Sequence, residues 1–222
     1  ALQADGYTIT AVTNRGYMFD ANNDILNENE LKKYIDFDCN VAFYKSIDST
    51  NNEAKRIITD GDTKPLLVVG EEQTAGRGRQ GKSFYSPAKT GIYMSLVVHP
   101  MAKLQNAVTA TTAASVAVCK AIEKLTDITP QIKWVNDVYV DGKKICGILT
   151  EAVTNFETQT VESVVIGIGV NLKTHSFPSD VQNAACLEAP VKRAEFIATV
   201  ANELNGIVTG DYSTFIDYYR SH

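Results

Sequence analysis

The spacing of apolar and polar residues along the chain predicts several strands, most of them in adjacent pairs. Apolar-rich runs that predict strands occur at residues 41–45, 66–69, 92–98, 132–140, 144–152 and 164–170. Two of them, 66–69 and 92–98, are continuous enough to be typical of buried strands. Asp141-Gly142 joins two of these runs and is the strongest hairpin signal in the chain. Residues 7–19 alternate loosely around Asn14-Arg15-Gly16, which predicts a second, short hairpin.

Other segments carry helical signals. The Ala-rich stretch 105–125 contains neither Gly nor Pro, which predicts a long and largely buried helix. Thr50-Asn-Asn-Glu53 has the capping-box spacing, so we expect a helix to begin near Ser49 or Thr50. Further helices are expected at 28–35 and 191–208. Strands grouped in hairpins beside a few helices predict an α+β fold with a mixed, largely antiparallel sheet backed by helices.

Composition narrows the classes of function without selecting one. The 222 residues are 44% hydrophobic and 21% charged, as in ordinary globular proteins, and suffice for one dominant domain with a small appendage. The formal net charge of −5 argues against broad nucleic-acid binding. No apolar run approaches the roughly 20 residues that a membrane span requires, so we expect no membrane association.

The cysteines and histidines do not suggest a metal site. No two cysteines form a Cys-x-x-Cys pair, and the three histidines are scattered along the sequence. Reduced thiols that pack as small apolar residues explain the cysteines best, and they fit a cytoplasmic protein. The residues concerned are Cys39, Cys119, Cys146 and Cys186, with His99, His175 and His222.

A segment rich in glycine and arginine, residues 76–83, is the strongest chemical signal in the chain. Its sequence, Gly-Arg-Gly-Arg-Gln-Gly-Lys-Ser, satisfies both the dinucleotide-binding fingerprint and the P-loop pattern. Both motifs need a helix that begins at the loop, and Pro87, Gly91 and a predicted strand leave no room for one. We therefore reject both motifs. We expect a loop whose backbone N–H groups and arginines, Arg77 and Arg79, bind phosphate or carboxylate oxygens; the alternative is an exposed basic turn.

Two predicted strands carry residues that fit a binding site. Lys133 lies between two large apolar residues, where partial desolvation would strengthen its attraction to an anion. Strand alternation places it on one face with Val135 and Asp137, and the alternative is a lysine that snorkels at a sheet edge. Gly167 and Gly169 share one face of another strand. They mark either the close approach of a ligand or backbone, or tight packing against a helix.

Five motifs resemble, in their order and spacing, those of the biotin protein ligases. They are Asp-Ser-Thr-Asn at 48–51, Gln-Thr-Ala-Gly-Arg-Gly-Arg-Gln-Gly at 73–81, Lys-Trp-Val-Asn-Asp at 133–137, Lys-Ile-Cys-Gly-Ile-Leu-Thr-Glu at 144–151 and Gly-Ile-Gly-Val-Asn at 167–171. The resemblance implies an enzyme that uses ATP and Mg²⁺ to convert biotin into biotinyl-5′-AMP. It also implies transfer of the biotin to one lysine of the biotin carboxyl carrier protein of acetyl-CoA carboxylase.

The resemblance assigns roles to individual residues, which we take as predictions. Lys133, Arg77 and Arg79 are expected to be catalytic, by neutralising charge where the biotin carboxylate meets the α-phosphate of ATP. Biotin is expected to contact Ser49, Thr50, Asn51, Gln73, Arg77, Gly78, Arg79, Lys133 and Gly147. The nucleotide is expected to contact Arg79, Phe84, Asn136, Lys144 and Asn171, and no protein ligand to a metal is predicted. The chain departs from the family at Phe84, where the family has a Trp against the adenine, and at Val135, where it usually has a Pro.

The two ends of the chain are expected to belong to different parts of a longer architecture. Residues 1–20 resemble the wing of the winged-helix domain that precedes the ligase in the repressor branch of the family, with 21–30 as a linker. Residues 31–222 are expected to form the catalytic domain, without the small β-barrel that normally follows. DNA binding is expected only through a complete N-terminal domain. The resemblance also allows a transcriptional repressor role of the full-length protein and a homodimer.

Two other functions remain open on the sequence. A lipoate or octanoate ligase or transferase shares the fold but carries different glycine motifs where this chain has residues 76–81. A biotin-sensing repressor whose catalysis is secondary would need a complete helix-turn-helix. The fold alone does not separate a biotin ligase from a lipoate ligase, so the site must.

Overall fold

The structure, a computed structural model, describes residues 7, 9–19, 23–58, 64–99, 107–154, 160–179, 181, 183–210 and 212–222. Its strands are β1 (Ile9–Val12), β2 (Gly16–Phe19), β3 (Asn40–Tyr44), β4 (Leu66–Gly70), β5 (Gly91–Val98), β6 (Gln131–Lys133), β7 (Asp137–Val140), β8 (Lys143–Thr154) and β9 (Val161–Asn171). Its helices are α1 (Glu28–Lys32), α2 (Thr50–Ile57), α3 (Ala107–Leu125), α4 (Arg193–Thr209) and α5 (Tyr212–Ser221), with a 3₁₀ turn at Arg79–Gly81.

Seven strands form one mixed sheet, in the order β3-β4-β5-β9-β8-β7-β6. Strands β3 and β4 are parallel, and every other neighbouring pair is antiparallel. The predicted α+β fold, with a largely antiparallel sheet backed by helices, is confirmed. The register places Gly167 opposite Ser95 and Leu149, and Gly169 opposite Gly147. These residues therefore lie side by side at the centre of the sheet.

The two faces of the sheet are covered differently. Helices α3 and α4 pack against each other over one face and enclose the main core, to which β5 and β9 contribute residues such as Met94 and Ile168. On the opposite face α2 packs over a small apolar cluster around Ala54 and Val97. Because successive strand residues point to opposite faces, Ser95 and the strand glycines lie on the α2 face. The candidate functional site lies on the same face of the sheet, next to the start of α2.

Both predicted hairpin turns are confirmed. Strands β1 and β2 pair antiparallel around a turn in which Asn14 and Gly16 have positive φ. Asp141 and Gly142 also have positive φ, at 50° and 71°, as the tight turn between β7 and β8 requires.

The prediction of one strand over 132–140 is wrong. The chain reverses at 134–136, so that β6 and β7 pair antiparallel with Lys133 opposite Asp137. A hydrogen bond from another strand stabilises this reversal: the Ile148 N–H in β8 donates to the Asn136 carbonyl at 3.0 Å. Strand alternation therefore does not relate Lys133 to Asp137, which belong to different strands.

Several helix predictions are confirmed with altered ends. Helix α2 begins at Thr50 with Ser49 as its N-cap, but the Ser49 side chain makes no capping hydrogen bond. The Glu53 carboxylate accepts instead from Tyr44 and Arg56, so the predicted capping box does not form. Helix α1 ends at Lys32, before its predicted end. The predictions for residues 1–6, 8, 20–22 and 105–106 lie outside the described residues.

The packing of the cysteines agrees in part with the prediction. All four are free thiols. Cys119 and Cys146 lie in the main core, and burial raises the pKa of Cys119 to about 12. Cys39 and Cys186 are half-buried. In the described part of the chain, no helix combines the length and apolarity needed to cross a membrane.

Candidate functional site

Two adjoining cavities open on the α2 face of the sheet. The first, of about 290 Å³, lies between the start of α2, the loop at 76–84 and the middle of β8 and β9. The second, of about 490 Å³, shares Lys82, Ser83, Phe84 and Lys144 with the first and extends to Asn171. The first cavity lies at the lower end of the volume range typical of small-molecule sites, roughly 300–1,000 Å³.

Asn51 forms the floor of the first cavity where α2 meets the sheet. Its amide nitrogen donates to the Leu149 carbonyl at 3.2 Å and to the Glu151 carboxylate at 2.8 Å. Its amide oxygen lies 2.6 Å from the Ser95 hydroxyl, which donates to it. A Cβ on Gly167 would lie 2.2 Å from this oxygen, so the glycine is required for the contact. The close packing at Gly167 is therefore against a helix.

Gln73 ties the start of α2 to the segment that follows the glycine-arginine loop. Its side-chain oxygen accepts from the backbone N–H of Thr50 at 3.0 Å and from the Thr50 hydroxyl at 3.2 Å. Its side-chain nitrogen donates to the Ser86 hydroxyl at 2.9 Å, which lies 2.9 Å from the Phe84 carbonyl. Ser49 lines the same cavity, and its hydroxyl does not cap the helix. Polar groups therefore surround the α2 end of the cavity.

Arg77 is fixed at the cavity wall by two acceptors. Its guanidinium lies 2.8 Å from the Glu151 carboxylate and 2.7 Å from the Asn52 side-chain oxygen. Lys55 pairs with the same carboxylate at 3.0 Å. Burial raises the pKa of Glu151, but hydrogen bonds from Asn51 and Lys55, with the charges of Lys55 and Arg77, bring it below its usual range. Glu151 is therefore ionised at neutral pH and anchors Arg77.

Other side chains of the cavity lining also carry positive charge. Lys144 pairs with Asp137 at 2.7 Å, and Asp137 also accepts from the Asn136 amide at 2.7 Å. Arg79 donates to the Asn136 side-chain oxygen at 2.8 Å. Within the described residues, neither Arg79 nor Lys82 has a carboxylate partner. Because the cavity lining contains four cationic side chains and one carboxylate, it suits an anionic ligand.

The glycine-arginine loop folds back on itself. The Gly78 N–H donates to the Lys82 carbonyl at 2.7 Å, and Gln80 and Gly81 both adopt positive φ. Between Gly81 and β5, a stretch that the structure describes throughout, the chain forms no α-helix. The rejection of the dinucleotide-binding and P-loop motifs is thus confirmed.

Phe84 lies over glycines of the sheet. A Cβ on Gly169 would lie 2.5 Å from its ring, and a Cβ on Gly147 would lie 3.3 Å from it. The ring also meets Tyr93 edge to face, with centroids 6.4 Å apart. At Gly169, therefore, the close approach is that of an aromatic side chain. Phe84 lines both cavities and stands at their junction.

Lys133 is brought to neither cavity. It is exposed, and its ammonium group lies 5.3 Å from the centre of the Tyr139 ring. The reversal at 134–136 is the reason, because it ends β6 at Lys133 on the edge of the sheet and returns the chain toward the site at Asp137. This is the position foreseen by the alternative interpretation of an edge lysine. The lysine that lines both cavities is Lys144.

The other predicted site residues are brought together. The first cavity is lined by Ser49, Thr50, Asn51, Gln73, Arg77, Gly78, Arg79, Phe84, Asn136, Lys144 and Gly147. Asn171 lines the second cavity. Sequence reasoning missed Asp137, Glu151 and Ser95 as parts of the site. The sequence contains a signal for two of them. Glu151 lies four residues after Gly147, which places both on the same face of a strand, and Ser95 is a polar residue within an apolar run.

Comparisons with known proteins converge on one family. The model of the biotin/lipoate A/B protein ligase family matches residues 43–171. The chain is 35% identical over 189 residues to the bifunctional ligase/repressor BirA of Bacillus spizizenii, covering 83% of this chain and 58% of that protein. It is 35% identical over 127 residues to the biotin–[acetyl-CoA-carboxylase] ligase of Paracoccus denitrificans, covering 56% of this chain and 51% of that protein. The chain thus spans little more than half the length of these relatives.

Among solved structures, the fold is similar to that of the biotin protein ligase from Aquifex aeolicus in complex with biotin and ATP. The TM-score is 0.65 and the sequence identity is 25%, with 81% of this chain and 76% of that chain covered.

Proposed function

This chain is a member of the biotin/lipoate A/B protein ligase family, and we propose that it contains the catalytic domain, residues 31–222, of a biotin–[acetyl-CoA-carboxylase] ligase. In this function, biotin and ATP yield biotinyl-5′-AMP and pyrophosphate, and the biotin is then transferred to a lysine of a biotin carboxyl carrier protein. One observation carries the proposal: the first cavity joins a polar pocket at the start of α2 to a wall of cationic side chains.

The polar pocket favours biotin over lipoate. The ureido ring of biotin has two N–H donors and a carbonyl acceptor, whereas the dithiolane ring of lipoate has no strong hydrogen-bonding group. Ser49, Thr50, Asn51 and Gln73 present hydroxyl and amide groups at this end of the cavity. Because the amide groups of Asn51 and Gln73 already have protein partners, the discrimination rests on the Ser49 hydroxyl, which makes no capping hydrogen bond. A dithiolane ring would cover this hydroxyl without offering it a partner, at a cost of about 1–3 kcal/mol.

The cationic wall suits the first chemical step. An oxygen of the biotin carboxylate attacks the α-phosphorus of ATP, the bond to the β-phosphate oxygen breaks, and pyrophosphate leaves. The carboxylate is already ionised, so the step needs no general base, but it needs positive charge between two anions. We assign this role to Lys144, Arg77 and Arg79, with Lys144 in the place that the resemblance gave to Lys133. Lys144 is supported because it lines both cavities.

The second cavity suits the nucleotide. Phe84 offers an aromatic face at the junction of the cavities, against which the adenine can stack. Asn136 and Asn171 add amide groups, and Arg79 has its guanidinium available for phosphate oxygens. Mg²⁺ would enter with ATP and supply further positive charge at the phosphates. Asp137, the one carboxylate in the lining of the first cavity, offers the oxygen donor that Mg²⁺ prefers.

Transfer of biotin completes the reaction. The lysine amine of the carrier protein attacks the acyl carbon of biotinyl-5′-AMP, an amide bond forms, and AMP leaves with the electrons of the broken anhydride bond. AMP is a good leaving group, so the enzyme has mainly to align the amine and exclude water. We propose that this reaction occurs in the cytoplasm, because all four cysteines are free thiols and a reducing compartment keeps them so.

A repressor role of the full-length protein is a second proposal. It is supported by the similarity to bifunctional ligase/repressors and by the β1–β2 hairpin at the position expected for a wing. Such a role would involve DNA contacts through a complete N-terminal domain, and a homodimer. Biotin-dependent binding of the full-length protein to promoter fragments from its genome, measured by gel shift, tests it; equal binding with and without biotin argues against it.

The ligase proposal is tested by incubating the chain with biotin and Mg·ATP and analysing the products by mass spectrometry. We expect biotinyl-5′-AMP and pyrophosphate, and neither when ATP is omitted. Lipoic acid in place of biotin is expected to give no adenylate. An adenylate of lipoic or octanoic acid without one of biotin would instead assign the chain to the other branch of the family.

A further inference from the structure

A group of three potential metal ligands lies outside the proposed ligase site. The Cys186 sulfur is 3.8 Å from Nδ1 of His175 and 3.5 Å from a carboxylate oxygen of Glu188, and this oxygen is 3.6 Å from Nδ1 of His175. Among the residues that the structure describes, this is the only group of three His, Cys, Asp or Glu side chains whose ligand atoms come within 4.8 Å of one another. None of the three residues lines either cavity of the ligase site.

These distances match one face of a tetrahedral zinc site. Zinc binds sulfur at about 2.3 Å, and nitrogen and oxygen at about 2.0–2.2 Å, with tetrahedral angles. Ligand atoms around one such ion are therefore separated by roughly 3.3–3.7 Å. All three observed separations lie in or within about a tenth of an ångström of this range. A single ion can thus reach all three atoms with little movement of the side chains.

The backbone holds the three residues in this arrangement. Leu187, between Cys186 and Glu188, is buried, and its N–H donates to the Asn171 carbonyl at 2.9 Å. The Glu188 N–H donates to the Leu172 carbonyl at 2.9 Å. Both acceptors lie at the end of β9, only a few residues before His175 along the chain. The three ligands therefore lie on two segments, one with His175 and one with Cys186 and Glu188, that are joined by backbone hydrogen bonds.

Thr174 fixes the other segment beside His175. It is buried, and its hydroxyl lies 3.1 Å from the Thr90 hydroxyl. Because a buried residue precedes His175 and another separates Cys186 from Glu188, the three ligand side chains lie on the outer side of the protein. His175 and Glu188 are 69% and 67% exposed, so an ion can enter and can keep a water molecule as its fourth ligand.

We propose that His175, Cys186 and Glu188 bind a divalent metal ion of the zinc class. The ligand set of thiolate, imidazole and carboxylate selects a borderline or soft ion such as Zn²⁺ over Mg²⁺. Binding replaces the thiol proton, so one proton is released for each ion bound at a pH below the thiol pKa. The sequence does not reveal the site, because its ligands are spread over two loops in no standard spacing.

Cobalt provides the experimental probe, since Co²⁺ adopts the same geometry and its bond to a thiolate gives a charge-transfer band in the near ultraviolet. The purified, reduced chain is titrated with Co²⁺ and then with Zn²⁺. We expect one cobalt ion per chain with a thiolate band, removed by Zn²⁺ and not by excess Mg²⁺. Cys186→Ser is expected to abolish the band, and His175→Gln to weaken Co²⁺ binding more than about tenfold.

Two matched variants serve as controls. Cys39→Ser removes the other half-buried thiol and His99→Gln removes a histidine outside the cluster, and both are expected to bind Co²⁺ like the unchanged chain. The unfolding temperature with Zn²⁺ checks that each variant is folded and should rise only where Cys186 and His175 are intact. Absence of a thiolate band in the unchanged, folded chain overturns the proposal. So does a band that survives in Cys186→Ser or is lost in Cys39→Ser.

Discussion

Replacing Lys144 with Gln is the change that best separates the proposed chemistry from its alternatives. Gln keeps much of the length of the side chain and removes its charge. In the proposed first step, the ammonium group contacts both the biotin carboxylate and the α-phosphate. The substitution is therefore expected to slow the formation of biotinyl-5′-AMP while leaving the fold intact.

The size of the effect follows from the position of the side chain. A net charge-assisted hydrogen bond contributes about 1.5–3 kcal/mol, and the lower value applies because the Lys144 side chain is 33% exposed. Two such contacts give about 3 kcal/mol, which corresponds to a decrease in rate of roughly 100-fold. Lys133→Gln should have almost no effect on the rate, because an exposed cation–π contact contributes only about 0.5–1 kcal/mol to stability. Lys143→Gln, at an exposed neighbouring position of β8, is the matched control.

A double variant removes the main ambiguity. Lys144→Gln leaves Asp137 without its cationic partner, and a carboxylate whose charge is not neutralised would itself repel the substrates. Lys144→Gln combined with Asp137→Asn removes both charges. The double variant is compared with Asp137→Asn alone, which accounts for any contribution of Asp137 to Mg²⁺ binding. If the lysine acts on the substrates, the double variant is much slower than Asp137→Asn; if it only neutralises Asp137, the two rates are equal.

The assay is pyrophosphate release at saturating biotin and ATP, with mass spectrometry of the adenylate. A near-normal rate for Lys144→Gln, together with a large loss for Lys133→Gln, would refute the assignment and return the role to the edge lysine.

Three other substitutions, one of them with a matched control, test separate parts of the account. Gly169→Ala puts a methyl group 2.5 Å from the Phe84 ring, so calorimetry should show weaker nucleotide binding. Its control, Gly206→Ala, has open space around it within α4 and should leave nucleotide binding unchanged while stabilising the fold by about 0.5–1 kcal/mol; equal loss of nucleotide affinity in both variants would contradict the account. Phe84→Leu removes the stacking face and should raise the KM for ATP about twofold to tenfold with the Kd for biotin unchanged; an unchanged KM argues against stacking. Glu151→Gln removes a carboxylate whose pKa is lowered by folding, so its stabilising effect is fully present above the usual glutamate pKa and lost as the pH falls through the lowered value. Urea unfolding should therefore show a deficit for Glu151→Gln at neutral pH that shrinks in acid, and a deficit independent of pH would exclude the charge as its cause.

Local patterns account for what the sequence predicts well. Asp141-Gly142 specifies its turn because both residues tolerate positive φ. The apolar runs of β4, β5 and β9 identify buried strands because both faces of these strands are covered over much of their length. The loop at 76–83 stands out in the sequence because glycine and arginine are residue types suited to anion binding.

What the sequence does not predict depends on contacts between distant residues. The reversal at 134–136 contains no Gly or Pro, and it is held by the Ile148 N–H from another strand. Periodicity therefore favours a continuous strand in which Lys133 and Asp137 share one face, whereas in the structure they lie opposite each other on two paired strands. The contact of Asn51 with Glu151 joins residues 100 positions apart, and no local signal connects them. Such pairings become visible only once the sheet order is known.

A crystal structure of the chain with a non-hydrolysable analogue of biotinyl-5′-AMP tests the central claim most directly. The account predicts the ureido ring beside Ser49 and Thr50, the acyl-phosphate linkage within hydrogen-bonding distance of Lys144 and Arg79, and the adenine against Phe84 in the second cavity. The analogue bound with its linkage at Lys133, or bound elsewhere with both cavities empty, would contradict it.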